Sequence, residues 1–529
     1  MKNLLLKNTV TNYLTVIVRS LQGILVTRWM IAYLGTDNYG LWALLWAFFA
    51  YALLLDFGFG LTAMKYTSSG LYRQDIRKYN SIISAVFSFH ALGGLLIASG
   101  GVLAAIWAGE LFNISDPQRI AYCRLCLLLF AGGAAVAFPS GVFPEILIGL
   151  QKLYLRNYVT SITKLVELCA TFVILVLGGQ VIPLIILSII LWLGANLSMA
   201  ALIVRQIKGF RLYLKIDPKD FREIFSFSGF IYLNAVSTLL MEKSSYMVIS
   251  ILSGLPSVGL YQAAGRLGDY CMLGCSQYQE NVRPTTASLY AHGEFGALKK
   301  FILQSMRYNC YFALFFILPA FLYAEEALAV LFKISDPEVI YFSRLFLILA
   351  FVKVTGRQVM HSYLIMVNKH KFVGLSAIGE ALVFLVLSVI LFRPFGIQGI
   401  LWSGIGLRLG VSFLLLAPTA LGALHLSPFK WGWQVLILPL LAAAPCALLG
   451  LAFRYYFASA LGSFLTVALG AALTSGVFAV LVFFLLFSRY EREKAYRMLR
   501  PGPKEPSGDN ASPPPAMLRE ETHTDLDLL

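Results

Sequence analysis

The stretch LFNISDPQRIAYCRLCLLLFA, residues 111–131, returns 220 residues later as LFKISDPEVIYFSRLFLILAF, residues 331–351, with 11 of 21 positions identical and no gap. Hydrophobic bias does not generate a shared Ile-Ser-Asp-Pro, and Arg124 falls opposite Arg344. Fainter echoes keep nearly the same offset: Tyr39-Gly40-Leu41-Trp42 against Val258-Gly259-Leu260-Tyr261, and Arg77-Lys78-Tyr79 against Lys299-Lys300-Phe301. An internal repeat of this length means a duplicated bundle, and the material between its copies says what the bundle is made of.

That material is apolar. Hydrophobic residues make up 58% of the 529-residue chain and charged residues 13%, about half the charge of a soluble domain. A chain with so few charges cannot cover a water-facing surface, so most of its outside faces lipid. The net charge of +15 would suggest nucleic acid in a soluble protein; here it is a question of which loops hold the positives. No nucleic-acid partner is implied. Cys123, Cys126, Cys169, Cys271 and Cys446 lie in apolar runs and read as small core residues, with no disulfide framework.

A spanning helix needs about 20 mostly apolar residues. Fourteen stretches qualify: 10–33, 39–64, 81–108, 120–149, 157–178, 181–204, 228–253, 257–282, 302–328, 339–367, 372–393, 397–420, 432–457 and 461–488. Lys and Arg divide 21 to 4 between alternate loops, which places both termini in the cytoplasm and demands an even number of spans. The repeat unit holds six helices, so both copies enter the membrane in the same direction. The expected fold is all-α and polytopic: about 14 transmembrane helices in two parallel six-helix bundles plus a C-terminal pair. The expected domains are lobes 1–205 and 228–420 around a cytoplasmic linker 206–227, additional helices within 432–488, and a disordered cytoplasmic tail 489–529. Paired bundles enclose a cavity that rocking exposes to each side in turn, the plan of a transporter.

Charges inside the bilayer are functional candidates because each costs a few kcal/mol. Eight cations qualify: Arg19, Arg28, Lys164, Lys243, Arg266, Lys353, Arg357 and Arg408. Lys164 with Glu167 and Arg266 with Asp269 are i,i+3 neighbours able to pair. Lys353, Arg357 and His361 form an i, i+4, i+8 stripe with no acid on its own helix. Small-residue spacings, Ala264 with Gly268 and Gly406 with Gly410, suggest close packing beside Arg266 and Arg408. Arg19, Arg28, Arg266, Lys353, Arg357 and Arg408 are the expected cationic cavity for an anionic substrate, guanidinium forks being suited to phosphate oxygens. Arg124 and Arg344 are expected to snorkel to headgroups. Asp56, Glu242 and Asp269 are the candidates for coupling to a proton or sodium ion, and Asp56 has the alternative role of orienting a Gly58-x-Gly60 helix break. Pro139 and Pro144 are further kink positions. No metal-spaced Cys pair, nucleotide-binding loop or catalytic triad stands in the sequence, so neither an enzyme nor a cofactor is expected.

The run LGTDNYGLWALLWAFFAYALLLDFGFG, Leu34 to Gly60, with Gly259-Leu260-Tyr261 in the eighth span, resembles the polysaccharide and O-antigen flippases of the multidrug/oligosaccharidyl-lipid/polysaccharide exporter superfamily. The resemblance implies a bacterial inner-membrane flippase that translocates undecaprenyl-pyrophosphate-linked oligosaccharide by alternating access. It implies bilayer lipids and a lipid-linked oligosaccharide as partners, with polysaccharide polymerase or glycosyltransferases nearby. In it the two extra helices shelter the lipid tail. The long polar tail departs from the family norm. The alternatives are an ion-coupled small-molecule exporter of the same superfamily and a membrane scaffold acting through the tail.

Overall fold

The computed structural model describes residues 2–499 apart from 58, 69, 215–217 and 368. Eleven helical runs are long and apolar enough to span a membrane. The first of them, Val10–Asp56, is two helices: Lys2–Ala52 breaks at Gly35, which takes φ 76° and ψ 174°, a conformation suited to glycine. We label these α1 (residues 2–34) and α2 (residues 36–52). The further spans are α3 (Ile76–Ile106), α4 (Pro117–Gly149), α5 (Leu153–Val176) and α6 (Val181–Gln206). Two long helices, α7 (Pro218–Ser253) and α8 (Leu255–Ala291), fall outside the apolar set because they carry Glu242, Lys243, Arg266 and Asp269. Then follow α9 (Phe295–Leu322), α10 (Pro337–Met366), α11 (His370–Phe395), α12 (Ile397–Ala423), α13 (Pro428–Ala458) and α14 (Ala460–Leu486). Among the described residues the spans therefore number fourteen, as read from the sequence.

The repeated sequence is a repeated structure. Ahead of α4 stand a short helix Ala108–Phe112, a left-handed Asn113 and Asp116, whose carboxylate caps Gln118 and Arg119 above Pro117. Ahead of α10 stand Ala324–Phe332, a left-handed Lys333 and Asp336, which caps Glu338 above Pro337. Asp at the cap, Pro in the first turn and an acid at the positive end of the helix dipole each favour this start. The packing repeats as well: α3 on α4, α4 on α6, α5 on α6 and α1 on α5 in one half have counterparts in α9 on α10, α10 on α12, α11 on α12 and α7 on α11.

Two boundaries differ from expectation. α7 begins at Pro218, so residues 218–227 are helical where a linker extending to 227 was expected. Residues 489–499, expected in the unstructured tail, form a helix (Arg489–Leu499); Ser488 and Glu491 exchange backbone-to-side-chain hydrogen bonds at its start, a capping box that outweighs the polar composition. The rest of the tail, 500–529, and Gly58 of the expected helix break lie outside the described residues. By contact the described residues divide into two units, one ending at Ala479 and the other beginning at Val480.

The halves meet most closely where α2 crosses α8, at the end of the spans whose loops hold few cations. A Cβ on Gly40 would lie 1.9 Å from the Leu255 carbonyl oxygen, and one on Gly259 would lie 2.2 Å from that of Thr36. These two glycines are the aligned members of the Gly-Leu-aromatic echo. Beside them the Arg28 guanidinium donates to the Val330 carbonyl at 3.0 Å and Ser250 Oγ to that of Leu111 at 2.5 Å, each across the two halves. By contrast nothing lies within 4 Å of a Cβ on Gly406 or Gly410, so the close packing expected beside Arg408 does not form. Gly268 does pack on the Phe346 backbone. Gly259→Ala is therefore expected to lower the stability of the purified protein by about 1–3 kcal/mol through overpacking. Gly406→Ala is expected to be neutral or up to about 1 kcal/mol stabilising in the same helix setting. Thermal unfolding of both variants checks the contrast.

Candidate functional site

The charged residues of the spans sort into three groups. The first belongs to α7, α10, α11 and α12, which with α8 surround a cavity of about 280 Å³ lined by Glu242, Met272, Lys353, Arg357, His361 and Arg408 among others. Small-molecule sites run from roughly 300 to 1,000 Å³, so this cavity is at the small end of that range. Lys353 Nζ donates to Glu242 at 2.8 Å. Arg357 forms an ion pair with Glu380 of α11, whose side chain has no exposed surface. The stripe read as lacking an acid on its own helix is thus answered by acids on two neighbouring helices. Arg408 is 7% exposed, and its Nε has no hydrogen-bond partner. It lies within Coulombic reach of Glu380, Glu242 and Arg357. The Arg408 side chain also lines the cavity, and a planar guanidinium there is suited to an anion. Among the charged residues lining the cavity, Lys353, Arg357 and Arg408 outnumber Glu242.

The irregular geometry of two helices builds this wall. α10 winds as a π-helix over Lys353–Gln358 and α12 over Val411–Leu416. They touch where Gly356 meets Ser412: a Cβ on that glycine would sit 3.1 Å from the serine Cβ. Such wide turns recur at functional sites.

The second group lies at the junction of the halves. Arg266 of α8 donates to the Tyr39 hydroxyl of α2 at 3.4 Å. With the Gln262 amide oriented to satisfy its neighbours, its carbonyl accepts from Arg266 Nη2 at 3.0 Å and its NH2 faces the Tyr246 hydroxyl. The expected Arg266–Asp269 pair does not form, because Tyr39 and Gln262 hold the guanidinium. Asp269 is exposed, within Coulombic reach of Arg266, Lys353 and Lys243. Lys243 stands 5.2 Å from the centre of the Tyr246 ring, a cation–π contact.

The third group is in the first half. Asp56 ends the turn after α2; its carboxylate accepts from Gly60 N at 3.0 Å and meets His90 Nε2 of α3 at 2.6 Å. Asp56 thus caps the helix Phe59–Ser68, the orienting role weighed for it, and has a histidine partner on another helix. Arg19 of α1 is exposed, with no ion pair among the described residues. At about 100° per residue it points opposite the arc of Val10, Tyr13, Leu14, Ile17 and Leu21, the exposed apolar face. Arg28 instead braces the contact between halves. Lys164 pairs with Glu167 at 2.5 Å as read from the sequence. Arg124 caps the carbonyls of Ala105 and Ile106 at the end of α3, and Arg344 stacks near Phe321.

Sequence reading missed Glu380 and His90. Each is a lone ionisable residue near the middle of a span, a signal no weaker than that of Asp56. Among the described residues no cluster of His, Cys, Asp and Glu could hold a metal ion.

A duplicated bundle of parallel six-helix halves with a charged interior is the architecture of a multi-pass membrane protein. The fold is similar to that of the lipid II flippase MurJ in an inward closed conformation: TM-score 0.66 and 14% identity, covering 90% of this chain and 98% of that one. It is likewise similar to an inward-facing multidrug resistance MATE transporter of the MOP superfamily: TM-score 0.65 and 14% identity, covering 77% and 95%. A MOP superfamily transporter from Pyrococcus furiosus aligns with TM-score 0.57 and 15% identity over 80% and 97%. No curated protein matches the sequence significantly. The sequence profile of the polysaccharide biosynthesis proteins matches residues 5–271, and the chain belongs to that family.

The buried pair gives a stability test. Arg357→Ala leaves the Glu380 carboxylate unpaired in the interior and is expected to cost about 3–5 kcal/mol, whereas Arg357→Met with Glu380→Leu recovers most of the loss. Thermal unfolding of the single and double variants checks this; an Arg357→Ala protein as stable as the wild type would mean that the pair carries no structural role.

Proposed function

We propose that the protein is a flippase for undecaprenyl-pyrophosphate-linked oligosaccharide, working by alternating access in the bacterial inner membrane with both termini cytoplasmic. The observation that carries the reading is the cationic wall of Lys353, Arg357 and Arg408 on this cavity, where three cations stand against Glu242 among the charged lining residues. In this reading the wall and Arg266 hold the pyrophosphate, and Arg19 extends the positive surface into the aqueous interior. The glycan occupies the space between lobes 1–205 and 228–420, and the polyprenyl chain stays in lipid near α13 and α14. Glu242 and Glu380 hold the cations in place until the substrate's own negative charge competes for them. The contact at Gly40 and Gly259 is the gate that parts for release. Membership in the polysaccharide biosynthesis family and the similarity to a lipid II flippase support a lipid-linked substrate.

A second reading, an ion-coupled exporter of small molecules, draws on the similarity to multidrug MATE transporters and on the Asp56–His90 pair as a proton site. Lys353→Ala, Arg408→Ala and Arg266→Ala are each expected to abolish surface glycan in a complementation assay while protein levels in the membrane hold. Normal surface glycan in all three, with drug susceptibility appearing on deletion of the gene, would favour the exporter.

A further inference from the structure

We infer that Asn309 is a positioning residue for the anion site: its side-chain amide holds the π-turn of α10 that presents Lys353 and Arg357 to the cavity. The inference rests on the anion-binding reading above and adds to it a residue that touches no ligand.

In an α-helix each carbonyl accepts from the amide four residues on; in a π-turn the partner lies five on, and the wider loop is less well satisfied within itself. Asn309 of α9 is fully buried against this turn. Its Nδ2 donates to the Val354 carbonyl at 2.5 Å and lies 3.4 Å from Gln358 Oε1, so one amide bridges the start and the end of the Lys353–Gln358 segment. From the other side Gly356 lets Ser412 of the second π-turn approach. The extra residue in the turn offsets the two parts of α10 by about one residue, roughly 100° of rotation. At about 100° per residue a plain α-helix would turn Ser362 to the face opposite Lys353; with that offset Ser362 joins Lys353, Arg357 and His361 on one wall.

Asn309 is a poor choice for stability alone. Its Oδ1 is buried without a hydrogen-bond partner, a cost that an isosteric leucine would avoid. A residue that leaves one polar atom unmet while its other bridges a distorted helix beside the binding wall is explained by what the distortion presents.

The test uses the full-length protein in lipid nanodiscs, with undecaprenyl pyrophosphate as probe and undecaprenol as its uncharged control. Wild-type protein is expected to prefer the pyrophosphate by about tenfold or more, the worth of charge-assisted hydrogen bonds. Absence of that preference would overturn the proposed function itself, before Asn309 is tested. Asn309→Leu is expected to keep the wild-type unfolding temperature and lose about tenfold in pyrophosphate affinity, with undecaprenol binding unchanged. Combined with Lys353→Ala it is expected to lose little more than Lys353→Ala alone, the non-additivity of residues acting through one another. Gly356→Ala, which presses on the same turn from the α12 side, is expected to weaken pyrophosphate binding too and serves should Asn309→Leu fail to fold. Wild-type affinity in a folded Asn309→Leu protein, or in Gly356→Ala, or full additivity with Lys353→Ala, would overturn the inference.

Discussion

Charges held at mid-span have no water to fall back on, and the second half of the molecule is organised around that need. Lys353, Arg357 and Arg408 come from two helices, and their acids Glu242 and Glu380 come from two others. Four helices are therefore tied together by electrostatics in a medium where hydrophobic attraction between helices is weak. The same arrangement prevents full neutralisation, since three cations face two acids and Arg408 retains an unmet donor. Packing and binding are two expressions of one charge balance.

The duplication is asymmetric where it matters. The middle of α4 tightens into a 3-10 turn at Phe138–Gly141, while the middle of α10 widens into a π-turn at Lys353–Gln358; at the repeat offset of 220 the tight turn falls on residues 358–361, where the wide one ends. A side chain from the preceding span supports each: His90 of α3 packs on Phe138, and Asn309 of α9 bonds Val354. One half thus carries an Asp–His pair beside a tight turn, and the other carries paired cations beside a loose one. Two copies of one bundle diverged by changing the pitch of the same helix in opposite senses.

Most of the fold was legible in the sequence because lipid allows few solutions: span length, loop charge and the Ile-Ser-Asp-Pro repeat each constrain it strongly. The break at Gly35 falls in the turn expected between spans, and the one at Gly462 falls just inside the start of the expected span 461–488. The site was legible by residue type and less so by partner. Arg357 and Lys353 find theirs on other helices, as Arg266 does in Tyr39 beside Gln262 of its own, and cross-helix distances do not follow from spacing along one. The π-turns left no sign in composition, since they arise from a buried asparagine and a glycine contact far apart in the chain. Arg28 looked like its neighbours until the short helix Ala324–Phe332 was seen to reach over it. The helix at 489–499 was hidden by its polarity, although its Ser-x-x-Glu start was present in the sequence.

Tyr323 and Arg454 describe how the last helix pair is fastened. The Tyr323 hydroxyl donates to the Gly450 carbonyl at 3.0 Å and its ring fills the space a side chain would take at Gly470. Arg454 pairs with Glu325 and Glu326, and Ser475 donates to the Phe315 carbonyl. Each of these contacts joins the pair to α9 or to the short helix that follows it, on the second half of the molecule. In the rocking cycle proposed above the pair would therefore ride with that half like a sidecar. Any lipid lying along it would be carried with the half that holds the cations, so that head group and chain turn as one piece and the chain between them is not stretched.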